Sequence, residues 1–197
     1  VCKVFGNADK INVIEYLTQN KVAETPHFFA TFSSHDRTRS FLKIQDGCDY
    51  HCAYCTVARA RGESRSDSIA NVLDNMLKIE KLGLQEVNLT GVNVGDFGRK
   101  EGENFTQLVL ALEQQSAVPR IRISSIEPNL LTREIIDVVA QSSAFLPHFH
   151  IPLQSGCNRI LTLMQRRYKR ELFAEKVRYI KEKMPHACIA IDVIAGF

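Results

Sequence analysis

No apolar run in the 197 residues approaches the ~20 that a membrane span needs, and no secretory signal peptide stands at the start, so no membrane contact is expected. Charge of one sign is also lacking. The formal net charge is only +3, too small for its total to argue nucleic-acid binding, so the distribution of charge must carry that argument. Cysteine is scarce, six in all, and Cys48, Cys52 and Cys55 are crowded together. Neighbours so close in sequence rarely meet bridge geometry in an ordinary loop, which excludes a disulfide framework. Metal ligation in a reducing cytoplasm is the expectation instead. A second cysteine pair at zinc spacing is missing, as is the fourth cysteine of a ferredoxin run.

What is present is a regular alternation. From Phe41 onward strand-like runs at 41–46, 85–90, 120–126, 148–151 and 188–194 are separated by amphipathic helical stretches, the pattern of parallel β/α units. The clearest helices are predicted over 67–82, with Ile69, Val72, Met76 and Ile79 on one stripe, Ser66 as N-cap and Gly83 as terminator, and over 170–184, with Phe173, Val177, Ile180 and Met184. A short helix from Asp9 presents Ile11, Ile14 and Leu17, and residues 23–40 read as a linker. The fold class is therefore α/β, either an open doubly wound sheet or an incomplete barrel. Polar residues gather where the strands end, namely Asp46, Thr90, Asn93, Ser125, Glu127, Gln154 and Asp192, the edge at which β/α proteins place ligands. The chain opens on Val1 and closes at Gly196-Phe197 directly after a strand-like run, and is expected to be a fragment.

The loop after the first strand, "GCDYHCAYCTVARARGESRS", carries Cys48-x3-Cys52-x2-Cys55. Thiolates are the natural ligands of Fe-S clusters, and three of them grip three corners of a cubane while leaving one iron open. The competing reading is structural zinc with His51 or Cys157 as fourth ligand. Cys2, Cys157 and Cys188 are expected to be buried small residues. His148 and His150 alternate with Phe149 and share one strand face.

These residues resemble the radical S-adenosylmethionine superfamily, whose hallmark is CxxxCxxC with an aromatic, here Tyr54, before the last cysteine. "FLKIQDGCDYHCAYCTVARARGESRS", "VNLTGVNVGDFG", "RIRISSIEP", "HFHIPLQSG" and "LMQRRY" together resemble the methylthiotransferase family, in its MtaB-type branch, which acts on N6-threonylcarbamoyladenosine of tRNA. The branches for isopentenyladenosine or a ribosomal protein are the nearest alternatives, and a non-catalytic zinc module is the alternative of another class. The resemblance implies a partial (β/α)6-type barrel over residues 37–197, truncated at its C-terminal end. Residues 1–36 would be the tail of an N-terminal methylthiotransferase domain plus linker, in which "VFGNADK" is recognisable.

It implies further that Cys48, Cys52 and Cys55 hold a 4Fe-4S cluster whose open iron binds S-adenosylmethionine. Tyr54, Thr90, Gly91, Glu127, Gln154 and Arg166 are implied cofactor contacts, and no residue is assigned a catalytic role. A second 4Fe-4S cluster is expected in the family's N-terminal domain. Implied partners are tRNA and an electron donor such as a flavodoxin-like protein. Arg37, Arg39, Lys43, Arg59, Arg61, Arg65, Arg166, Arg167, Lys169 and Arg170 flank the loop and suit a phosphate backbone.

Overall fold

The computed structural model describes residues 3–6, 9–21, 28, 30–34 and 39–197. Cys2, Arg37 and most of the expected linker lie outside the described residues. Helix α1 spans Lys10–Thr18, and of its expected apolar face Ile14 and Leu17 are exposed. The chain then forms β1 (Thr31–Phe32), β2 (Arg39–Lys43), β3 (Gln45–Asp46), α2 (Val57–Arg61), β4 (Arg65–Ser66), α3 (Ile69–Lys81) and β5 (Glu86–Thr90). It continues through α4 (Phe105–Gln115), β6 (Arg120–Ile123), α5 (Arg133–Gln141), β7 (His148–His150), α6 (Asn158–Leu163), α7 (Arg170–Lys183) and β8 (Cys188–Ala190).

Strands β2, β5 and β6 pair in parallel, and β7 pairs with β8 in parallel. Parallel bridges Ile121–Phe145 and Ser125–His150 join β6 to the β7 segment. Each parallel strand thus lies beside its predecessor in the chain, with no reversal of order. A doubly wound sheet requires such a reversal, so the open choice is settled as a partial barrel. The expected linker is corrected in part: Thr31–Phe32 runs antiparallel along the outer edge of β2.

One face of each of the strands β2, β5, β6 and β7 is apolar. Leu42, Val87, Leu89, Ile121, Ile123 and Phe149 are buried against stripes from α3 (Val72, Met76, Ile79), α4 (Leu108, Val109, Leu112), α5 (Ile135, Ile136, Val139) and α7 (Ile180). Period-2 strands facing period-3.6 helices produce this layer. The N-cap of α3 is Ser68, whose side chain accepts from the Asn71 N–H at 3.2 Å, rather than Ser66. Ser66 is instead a buried residue of β4 that accepts from the Gly98 N–H, because two residues are taken up in a hairpin that spacing alone did not reveal. A reciprocal Asn104–Gln107 capping box starts α4, and Thr132 caps α5.

The predicted strand 41–46 breaks into two. After β2 the chain turns so that β3 pairs antiparallel with β4, closing a hairpin around the cysteine loop. Asp46, almost wholly buried, ties that hairpin shut: Arg61 Nη1 lies 3.0 Å from Oδ1, Arg65 Nη2 lies 2.8 Å from Oδ2, and Lys43 Nζ lies 3.8 Å away. Burial works to raise the Asp46 pKa, but the Gly47 N–H and the three cations outweigh it and hold the carboxyl below the usual range. Gly47 follows at φ 72°, and a Cβ there would sit 2.0 Å from the Glu63 carbonyl oxygen.

Two outcomes follow for this hairpin. Gly47→Ala adds about 1–2 kcal/mol of left-handed backbone strain to a clash with fixed backbone, so calorimetry should show a clearly lowered unfolding midpoint; an unchanged midpoint would reject the tight closure. Asp46→Asn should cost about 2 kcal/mol at pH 7, as for hydrogen bonds to a charged group. Because the folded-state pKa is lowered, the Asp46 contribution is complete above its ordinary pKa of 3.8 and is lost as pH falls through the folded value. The gap between wild type and Asp46→Asn should therefore shrink below that pH in denaturant titrations, and a gap independent of pH would count against the ion pairs.

Candidate active site at the strand edge

The cysteine loop runs from β3 to α2 over the C-terminal edge of the parallel strands. Cys52 is buried, Cys48 half-buried and Cys55 exposed. Backbone bonds set their course: Cys48 N–H donates to Gly62 O, Ala53 N–H to Met164 O, and Cys55 N–H to Cys52 O. The Tyr50 N–H lies 3.4 Å from Cys48 Sγ, and Arg166 Nη1 lies 3.1 Å from Cys52 Sγ. Donors aimed at sulfur favour thiolates, as metal-bound cysteines require. Without metal, burial pushes the Cys48 thiol up to about 11. A cavity of about 320 Å³ opens beside the loop, lined by His51, Cys52, Tyr54, Cys55, Arg59 and Gln165 among others. Among the described residues, no three His, Cys, Asp or Glu side chains are grouped so as to hold a single metal ion. A cubane draws its ligands from positions farther apart than one ion allows.

Arg166 is the junction of the site. Its side chain is only 3% exposed; it donates to Tyr54 Oη at 3.0 Å, forms a short ion pair with Glu127, and stacks over Tyr168 with 5.1 Å to the ring centroid. Burial opposes its charge, yet Glu127 outweighs that and raises the Arg166 pKa. Burial likewise pushes the Tyr54 hydroxyl up, so it stays protonated. Tyr168 Oη donates to the carbonyls of Pro152 and Leu153, which anchors the segment bearing Gln154.

Thr90 Oγ1 donates to Leu42 O at 3.2 Å. A Cβ on Gly91 would meet Gln45 Oε1 at 2.8 Å, so the glycine admits the buried Gln45 side chain. Gln45 Nε2 in turn donates to the Gly47 carbonyl and Ser64 Oγ, while its Oε1 accepts the Asn93 N–H. Gln154 lies at φ 59°, a left-handed conformation that a non-glycine holds only under constraint, and bridges to Val193. The structure thus brings Cys52, Tyr54, Glu127 and Arg166 into direct contact. Thr90 and Gly91 flank the loop through Gln45, and Gln154 stands at the neighbouring strand end.

Sequence reasoning missed several neighbours. Tyr50 is buried under the Arg167 guanidinium, 3.9 Å from the ring centroid, and its hydroxyl accepts from Asn129 Nδ2 at 2.8 Å. Asp96 is 2% exposed, and burial raises its pKa. Asn93, Asp96, Asn129 and Arg166 each keep a buried side-chain atom without a hydrogen-bond partner. Buried polar atoms are ordinarily paired, so this concentration beside the cysteine loop fits a polar ligand. Of these, Tyr50, Asp96 and Asn129 were missed, and only their position just past strand ends could have signalled them.

Two expectations are corrected. Cys157 and Cys188 are exposed, because Cys157 precedes the first turn of α6 and Cys188 falls on the strand face away from the helices, opposite His148. The basic cluster is largely spoken for: Arg61 and Arg65 serve Asp46, Arg166 serves Glu127, and Arg170 pairs with Glu171 at 3.0 Å. Arg39, Arg59 and Lys169 remain exposed. Among the described residues no helix is long and apolar enough to cross a membrane.

Comparison with known proteins agrees with this geometry. The Radical SAM superfamily matches residues 42–197. The threonylcarbamoyladenosine tRNA methylthiotransferase MtaB of Bacillus subtilis is 40% identical over 164 residues, covering 82% of this chain and 36% of that protein. Its namesake from Aquifex aeolicus is 36% identical, covering 86% and 41%. The tRNA-2-methylthio-N(6)-dimethylallyladenosine synthase of Desulforamulus reducens is 34% identical, covering 82% and 36%. The chain therefore spans well under half the length of these relatives. Among solved structures, the radical S-adenosylmethionine methyltransferase TsrM of Kitasatospora setae, with cobalamin and a [4Fe-4S] cluster bound, shares the fold at a TM-score of 0.62 and 15% identity, covering 78% of this chain and 30% of its own. The strand order without reversal, the cysteine loop at the strand edge and these matches lead to one conclusion: the chain belongs to the Radical SAM superfamily.

Proposed function

We propose that this chain is the core of a tRNA methylthiotransferase that adds a methylthio group to C2 of N6-threonylcarbamoyladenosine next to the anticodon. The observation that carries the reading is the convergence of Cys52, Tyr54, Glu127 and Arg166, from three separate stretches of chain, beside the cysteine loop. The Bacillus subtilis relative named as acting on this nucleoside, at 40% identity, supports this branch; relatives named as dimethylallyladenosine synthases reach 34% and 38%, so identity alone separates the branches little. In this reading Cys48, Cys52 and Cys55 hold a 4Fe-4S cluster, and S-adenosylmethionine lies against Tyr54, Thr90, Gly91, Glu127, Gln154 and Arg166. Bound together, these two groups supply hydrogen-abstracting radical chemistry. A second 4Fe-4S cluster on the family's N-terminal domain would deliver the sulfur.

The residues of this chain position and shield. The Arg166 guanidinium offsets the negative charge of the Cys52 ligand while Glu127 fixes its orientation, and a charge so paired is tolerated in a buried place. Tyr54, held by Arg166, walls the cavity beside the cysteines. Arg59, exposed at its rim, suits a tRNA phosphate. Residues 1–36 would belong to the preceding domain and 37–197 to the core. The partners are tRNA and an electron donor of the flavodoxin kind, and the setting is the cytoplasm.

Anaerobic reconstitution tests the site. The chain should take up iron and sulfide equivalent to one 4Fe-4S cluster and show a broad absorption shoulder near ~400 nm, as thiolate-ligated clusters do. Cys48→Ala, Cys52→Ala and Cys55→Ala should each abolish it, while Cys157→Ala and Cys188→Ala should leave it intact. Stoichiometric zinc without the shoulder would reject the cluster, and loss on Cys157→Ala would reject the three-ligand set.

A further inference from the structure

The helix-packed face of the parallel strands is apolar, whereas the opposite, inner face is not. Strand alternation places Phe41, Asn88 and Arg122 on that inner face in a single row, because Phe41 pairs with Asn88 and Asn88 with Arg122 in the register. Arg39, Glu86 and Arg120 form the next row toward the N-terminal edge. Closed β/α barrels fill their interiors with branched apolar side chains. An inner face with this composition calls for a polar occupant.

Each member of the Phe41 row is left incomplete. Phe41 is 41% exposed, an open aromatic face of the kind on which nucleobases stack. The Asn88 side-chain oxygen is buried with no partner and therefore lacks an N–H donor. Arg122 Nε and Arg120 Nε lie 3.4 Å and 3.1 Å from the same Glu86 carboxylate, so two positive charges share one negative charge. The Arg122 side chain is 25% exposed, and a guanidinium so placed matches a carboxylate in a forked geometry. On the adjoining strand, burial and then the Arg122 charge lower the pKa of His148, so it stands neutral beside that guanidinium, and its Nδ1 is also without a partner. Asn88 lies two residues before Thr90, about 7 Å below the edge that carries the cysteine loop at the usual strand rise.

We infer that the row Phe41, Asn88 and Arg122 is the specificity site of the proposed reaction and takes a nucleobase bearing a ureido-linked carboxylate. The ring stacks on Phe41, a ureido N–H donates to Asn88 Oδ1, and the carboxylate pairs with Arg122. This rests on the tRNA methylthiotransferase reading and deepens it. A threonylcarbamoyl group carries both a ureido N–H and a carboxylate, and a dimethylallyl group carries neither. Across three strands the row spans about 10 Å, the scale of a purine with such a substituent.

The test measures anisotropy of labelled anticodon stem-loops on the natural full-length gene product at fixed salt. The loops carry threonylcarbamoyladenosine, its methyl ester, dimethylallyladenosine or plain adenosine beside the anticodon. Wild type should prefer the acid over its ester by about tenfold, the loss of one charge-assisted contact. Arg122→Gln should erase that preference, so that acid and ester bind alike, and Arg122→Lys should keep part of it, with circular dichroism confirming the fold of both. Equal binding of acid and ester by wild type, or a preference that survives in folded Arg122→Gln, overturns the inference. Preference for the dimethylallyl loop overturns it while leaving the tRNA reading in place, and failure to bind any loop removes both. Should Arg122→Gln not fold, the comparison of acid with ester in wild type and Arg122→Lys decides.

Discussion

The buried ion pair between Arg166 and Glu127 is the interaction on which the site depends. Glu127 stands just beyond β6, Arg166 just beyond α6, and the guanidinium reaches on to Cys52 and Tyr54 of the cysteine loop. An arginine with a side chain 3% exposed is costly to desolvate unless its donors are used. Here they are distributed over a carboxylate, a phenol and a sulfur. Removing either partner strands a charge, so the pair welds stretches of chain that are far apart in sequence. On the other side of the loop, Asp46 does the same for the hairpin ends through Arg61 and Arg65.

A second constraint comes from strand order. With β2, β5 and β6 paired consecutively, and β7 and β8 continuing the run, every polar strand end falls on one edge and every inner-face residue on one curved wall. The cysteine loop on the edge and the Phe41, Asn88 and Arg122 row on the wall therefore face a shared space. Loop identity alone would not produce that arrangement.

Local features were legible in the sequence. Alternating apolar runs located all five parallel strands, and the spacing of Val72, Met76 and Ile79 located α3. The cysteine spacing, which depends on contiguous residues, located the loop. What depended on distant pairing was hidden. Nothing near Asp46 announced that two arginines further along would close on it, nor that Tyr50 would be clamped by Arg167 and Asn129. Cys188 was expected in the core because its residue type favours burial, but register put it opposite His148 on the open face. The resemblance singled out Arg166 as a cofactor contact, but nothing near it in sequence announced its burial, which follows from the distant Glu127.

In the proposed function three cysteines hold a cluster with one iron left open to S-adenosylmethionine at this edge. Electron paramagnetic resonance of the reduced, reconstituted protein, recorded with S-adenosylmethionine labelled at its amino nitrogen and carboxylate oxygens, tests it most directly. The labelled nuclei should couple magnetically to the cluster, and the coupling should weaken in Arg166→Lys although the cluster remains. A cluster with full iron content whose spectrum is unmoved by the labelled molecule would contradict it.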